Sequence, residues 1–65
     1  MPSTVISKYY YRETDHTLIV VFMSGMVYRY LNVPKEIYAK MKRAFSKGSF
    51  LNKFIKGKYE FKKDE

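Results

Sequence analysis

The chain has 65 residues, no cysteine, one histidine and a formal net charge of +7. That length holds one domain, near the lower size at which an apolar core alone keeps a chain folded. Seven Tyr and five Phe offset the small size, because each buried ring removes a large area from water. Without cysteine there are no disulfides, no thiolate metal sites and no cysteine nucleophile, which suits a reducing cytoplasm.

The opening residues Met1-Pro2-Ser3-Thr4 lack the basic region and apolar run of a signal peptide. No stretch nears the roughly 20 apolar residues of a membrane span. A soluble, cytoplasmic protein without membrane contact is expected, folded as one domain over residues 1–65 with its ordered part at about 3–61.

Residues Val5 to Arg12, rich in β-branched and tyrosyl side chains, predict a first strand, and the apolar run Leu18 to Met23 is too short for a typical helix and predicts a second. A third runs from Val27 to Leu31. Polar residues Glu13 to His16 join the first pair. Met23-Ser24-Gly25 joins the second pair as a three-residue turn with Gly25 in the left-handed position, where glycine alone sits at little cost. Such a loop pairs Phe22 with Met26, Val20 with Tyr28 and Leu18 with Tyr30, so Tyr28 and Tyr30 lie over the core and only their hydroxyls reach water. A two-residue loop would instead set Val21 against Tyr28, and the longer loop is preferred because Arg29 then points outward. Three consecutive tyrosines in a strand cannot all face inward, so Tyr10 is expected outside. The remaining face carries Ile19, Val21, Met23 and Leu31, too apolar for free contact with water, so a helix or a partner must cover it.

Pro34 suits the first position of a helix. Ile37, Tyr38, Met41, Ala44 and Phe45 follow at offsets of one apolar stripe, flanked by Lys35 and Lys42 on one side and Lys40 and Arg43 on the other. Ser46 is the expected cap of a second, shorter helix with the stripe Phe50, Leu51, Phe54 and Ile55, closed by Gly57. Ser49, Asn52, Lys53 and Lys56 line its opposite side. The alternation Lys58-Tyr59-Glu60-Phe61-Lys62 suggests a short fourth strand, after which Lys63-Asp64-Glu65 is expected to fray. The class is α+β: a three-stranded antiparallel meander followed by two short helices, with a possible short C-terminal fourth strand.

Catalytic and metal chemistry find little support. His16, beside Asp15, reads as a solvated loop histidine, since no strained turn presents a nucleophile to it. Six carboxylates and one imidazole do not suggest a transition-metal site, and the three separated glycines form no phosphate-cradling loop. No enzyme activity, cofactor or metal is expected.

Charge carries more information. Residues 1–31 hold three Lys or Arg against two Asp or Glu, whereas residues 32–65 hold ten against four, an excess of +6 in the second part. A basic half suggests an anionic partner, most simply nucleic acid. Single-stranded nucleic acid is held by cations tracking the backbone and by rings on which bases stack. On that reading Lys40, Arg43, Lys47, Lys53 and Lys56 form one positive surface around the junction of the helices, Ser49 and Asn52 supply hydrogen bonds there, and Tyr10 offers a ring. The structural alternative makes Ser46 a cap, Gly48 a close-approach point and Asn52 a partner of neighbouring backbone.

In order and spacing, Thr17-Leu18, Val20, Phe22, Gly25, Val27-Tyr28-x-Tyr30, Val33-Pro34, Tyr38, Ala44-x-Ser46-x-Gly48, Asn52, Ile55 and Tyr59 resemble the KTSC family. That family is named for an extra C-terminal domain of some lysyl-tRNA synthetases and also occurs as free-standing small bacterial proteins sharing a central Tyr-x-Tyr. The resemblance implies a non-catalytic, RNA-binding module. Members commonly carry Gly-Tyr-Asp where this chain has Tyr10-Tyr11-Arg12, and a His-Ile-Arg-like run where it has Phe54-Ile55-Lys56. With lysine's point charge in place of a bidentate arginine, binding there is expected to be less selective. The rival reading is a protein-interaction or homodimerisation module using the apolar outer face of the sheet.

Overall fold

A computed structural model describes residues 6–64. The expected start of the first strand at Val5, the beginning of the ordered part at Ser3 and the terminal Glu65 lie outside those residues. Strands β1 (Ile6–Arg12), β2 (Thr17–Phe22), β3 (Val27–Tyr30) and β4 (Phe61–Asp64) form one antiparallel sheet in the order β1-β2-β3-β4. Between β3 and β4 run helix α1 (Lys35–Arg43) and a short helix α2 (Lys47–Phe50) that continues as a π-helical turn (Leu51–Ile55). The fold is α+β, and the fourth strand is present.

The β2–β3 turn sets the register. Gly25 adopts φ 94, its N–H donates to the Phe22 carbonyl at 2.9 Å, and the Phe22 N–H donates to the Met26 carbonyl at 2.9 Å. Leu18 then opposes Tyr30 and Val20 opposes Tyr28, as a three-residue loop requires. A bulge between Ile6 and Lys8 shifts β1 so that Tyr9 pairs with Val20, Tyr10 with Ile19 and Tyr11 with Leu18. Tyr9, Tyr11, Leu18, Val20, Tyr28 and Tyr30 therefore share one face.

Both helices cover that face. The core unites Leu18, Val20 and Tyr30 of the sheet with Val33, Met41, Leu51 and Ile55 of the helical layer. Tyr30 is 1% exposed, and burial, with Tyr28 adding to it, pushes its hydroxyl pKa above the ordinary value. Tyr38 of α1 stacks on Tyr11 at 4.8 Å and meets Tyr9 edge-on at 6.1 Å, which joins α1 to β1. The Tyr11 hydroxyl donates to the Val33 carbonyl at 2.6 Å and so accepts from His16 Nδ1 at 3.0 Å. His16 is an exposed loop residue at φ 55 whose carbonyl accepts from the Val33 N–H at 2.8 Å, so it anchors the chain that enters α1.

Several expectations are corrected. Pro34 is the N-cap of α1 rather than its first helical residue; with ψ 148 it is still extended, and its carbonyl accepts the N–H of Ile37 at 3.0 Å. Phe45 leaves the α1 stripe altogether, and Phe54 is 51% exposed instead of joining the core. The fourth strand begins at Phe61, because Ile55–Lys58 forms a type II turn with Gly57 at φ 81 and a Lys58 N–H to Ile55 carbonyl bond of 2.9 Å. Lys63 and Asp64, expected to fray, pair with Tyr28 and Val27. Neither described helix covers the outer face, where Ile19, Val21, Val27 and Leu31 remain half-buried.

Candidate nucleic-acid interface

The corner between the helices is built by the end of α1. Ala44 takes φ −66, ψ 140, an extended conformation that stops the helix one residue before Phe45. Had the helix continued, Phe45 would lie one turn beyond Met41 on the core stripe. Instead it points into water with a relative accessibility of 105%.

Lys47 occupies that end. Its ammonium donates to the carbonyls of Ala44 at 2.8 Å and Lys42 at 3.2 Å, carbonyls that a helix end leaves without an intrahelical partner. Proposed from sequence as part of the cationic surface, Lys47 is thus held against backbone and only partly exposed.

Ser46 caps α2. Its hydroxyl oxygen accepts the Ser49 N–H at 3.3 Å and lies 3.2 Å from the Ser49 hydroxyl, so both serines are engaged within the corner. Beyond α2 the Lys56 N–H reaches the Leu51 carbonyl at 2.7 Å, the wider hydrogen-bonded ring of a π turn. Such turns inside helices are frequent at functional sites. Leu51 and Ile55 face the core, while Asn52, Lys53, Phe54 and Lys56 are exposed. Phe50 lies beside Phe54 with ring centroids 4.8 Å apart and supports it.

Lys40 and Arg43, three residues apart, share an exposed face of α1. Lys42, on the other flank, sits 5.4 Å from the Tyr38 ring centroid, and Lys35 pairs with Glu13 at 3.0 Å. Among the described residues no carboxylate pairs with Lys40, Arg43, Lys53 or Lys56. Ile37 to Tyr59 holds seven Lys or Arg and no Asp or Glu, and Glu36, four residues before Lys40 on α1, makes no ion pair with it.

Tyr10 does not join this group. It is 50% exposed, pairs with Ile19 and faces away from the helices. The same cross-strand row continues from Ile19 to Arg29 on β3 and Lys62 on β4. Arg12 is bound by Asp15 through bonds of 2.9 to 3.2 Å, and these hold the Asp15 carboxyl below the usual carboxylate range. The exposed large aromatic residues within the acid-free stretch are Phe45 and Phe54, which stripe spacing assigns to the core. The signal that finds them is the unbroken run of positive charge around them.

Among the described residues no group of three His, Cys, Asp or Glu can hold a metal ion, and no helix is long and apolar enough to cross a membrane.

The sequence matches the KTSC domain family over residues 2–59. It is 43% identical over 58 residues to the lysine–tRNA ligase of Nostoc punctiforme, covering 89% of this chain and 10% of that protein. It is likewise 43% identical over 56 residues to the lysine–tRNA ligase of Trichormus variabilis, covering 86% and 10% respectively. The chain thus spans a tenth of the length of the curated relatives it matches. The crystal structure of a KTSC domain protein from Yersinia pestis aligns with a TM-score of 0.86 at 32% identity, over 100% of this chain and 90% of that one. A shared fold and a family match over nearly the whole sequence agree, and the chain belongs to the KTSC domain family.

Proposed function

We propose that this chain is a small, non-catalytic, cytoplasmic RNA-binding module that recognises tRNA-like or single-stranded RNA through the basic helical side. The observation that carries this reading is the stretch Ile37 to Tyr59, with exposed Lys40, Arg43, Lys53 and Lys56 and no acidic residue. An unopposed positive surface attracts a polyanion and releases its counterions on binding. The similarity to a segment of lysine–tRNA ligases supports RNA over other polyanions. Ser49 and Asn52 lie between these cations and complete the proposed contact surface.

Replacing Arg43, Lys53 and Lys56 together by alanine tests the site, because all three are exposed and their loss leaves the core intact. The triple variant is expected to stay folded by circular dichroism, to bind tRNA more weakly and to lose about 0.7 to 0.9 of salt slope per phosphate contact removed. Wild-type affinity in the folded variant would rule the site out.

A second reading rests on the outer face of the sheet, where Ile19, Val21 and Val27 are left half-buried by any described helix. On this reading two copies pair through that face. Sedimentation then shows a mass that rises with concentration, and Val21→Lys gives a monomer. A wild-type monomer at high concentration eliminates it.

A further inference from the structure

We propose that Phe45 and Phe54 are stacking platforms for unpaired bases, so that the ligand of the helical corner is single-stranded RNA or the unpaired nucleotides of a folded one, not duplex. The inference rests on the RNA-binding reading and narrows it to a class of ligand.

Phe45 contributes nothing to the core, being fully in water on a chain with few apolar residues to spare. Its backbone is nevertheless held on both sides. Before it, the Ala44 N–H donates to the Met41 carbonyl at 3.1 Å and the Ala44 carbonyl accepts from the Lys47 ammonium. After it, Ser46 caps α2 through Ser49, and its carbonyl accepts the Phe50 N–H at 3.0 Å. Phe54 is held in turn by the ring of Phe50. The backbone that carries Phe45 is thus preorganised, and the ring's own torsions are what binding must still order.

The surroundings say what such rings would meet. Arg43 and Lys47 flank Phe45 in sequence, Lys53 precedes Phe54, and carboxylates are absent from the whole stretch. An acidic or neutral peptide could also meet an exposed phenyl, but a polyanion with flat apolar faces at regular intervals matches both features together, as single-stranded nucleic acid does. Bases in an A-form duplex are stacked inside and its deep groove excludes side chains, so phenyl rings reach only unpaired ones. A phenyl has no hydrogen-bonding group, so it accepts any base, and sequence preference at this corner is weak.

The test uses a fluorescein-labelled oligouridine of about 12 nucleotides and a duplex of equal length, with 2-aminopurine in a second single strand to report stacking. Phe45→Ala and Phe54→Ala are each expected to weaken single-strand binding about 5- to 150-fold while leaving the salt slope unchanged. They also diminish the 2-aminopurine quenching, and duplex binding stays the same. Phe45→Tyr retains the affinity, whereas Phe45→Leu, apolar but not aromatic, behaves like Phe45→Ala. If the wild type binds the single strand and the folded Phe45→Ala/Phe54→Ala double variant binds it equally, stacking is refuted while the RNA reading stands. If Phe45→Leu retains wild-type affinity, the corner is an apolar anchor and the stacking proposal fails. Should the wild type bind no RNA at all, both readings fall, and a protein ligand for the corner takes their place.

Discussion

Tyr11 and Tyr38 stack at 4.8 Å and Tyr30 is sealed beneath the helices, whereas Phe45, at least as apolar, stands wholly in water. The rings of the sheet and those of the helical corner come from one residue class and meet opposite environments. In the sheet, strand parity decides: once Gly25 fixes the β2–β3 loop, Tyr28 and Tyr30 must turn to the face that the helices cover. At the corner, the extended backbone of Ala44 takes the chain out of the helix before Phe45 can reach the core, and Lys47 occupies carbonyls at that end. The sheet rings packed under the helices therefore hold the fold together, and Phe45 takes no part in that.

That contrast is broken most strongly at Tyr30. Tyr30→Ala removes a fully buried ring and is expected to cost about 3–5 kcal/mol, comparable to the whole stability of a domain this small, so the variant unfolds in a urea titration followed by circular dichroism. Gly25→Ala comes next, at about 1–2 kcal/mol. A Cβ there meets nothing within 4 Å, so the loss is backbone strain at φ 94, and the hairpin register survives. An accompanying change in the Val20–Tyr28 pairing by NMR would contradict this.

Alkaline pH offers a gentler probe. The Tyr30 pKa is raised in the folded protein, so its contribution to stability is complete below the ordinary tyrosine value of about 10 and is lost as pH rises through the folded value. Tyr30→Phe is expected to flatten that part of the alkaline decline in melting temperature, and an identical decline in both proteins would assign it elsewhere. Phe45→Ala closes the comparison with the smallest effect, a stability within about 0.5 kcal/mol of wild type. A large loss there would mean that Phe45 packs in solution.

The sequence is a good guide wherever a local rule has a single solution. The loop Met23-Ser24-Gly25 fixes the register of β2 with β3, Ser46 caps the second helix, and Gly57 takes the left-handed turn that follows it. It misleads where periodicity alone is asked to set an element's end or winding. Periodicity carries the α1 stripe through Ala44 to Phe45, whereas the helix ends at Arg43 and the ammonium of Lys47, three residues past Ala44, occupies carbonyls at that end. Phe54 lies within the α-spaced stripe Phe50, Leu51, Phe54 and Ile55, but its segment winds as a π turn that α spacing does not anticipate. Tyr10 is outside, as strand parity requires, yet which side of the sheet the helices take cannot be read from β1 itself, and Tyr10 sits on the face opposite to them.

The most direct test of the account is fluorescence anisotropy of labelled tRNA, single-stranded RNA and duplex DNA with the wild-type protein at about 50 and 200 mM salt. The account predicts micromolar or tighter binding that favours RNA, persists at the higher salt and weakens with a slope set by the cations of the helical side. Equal, weak binding to all three that vanishes at the higher salt would contradict it and reduce the positive surface to a nonspecific attraction.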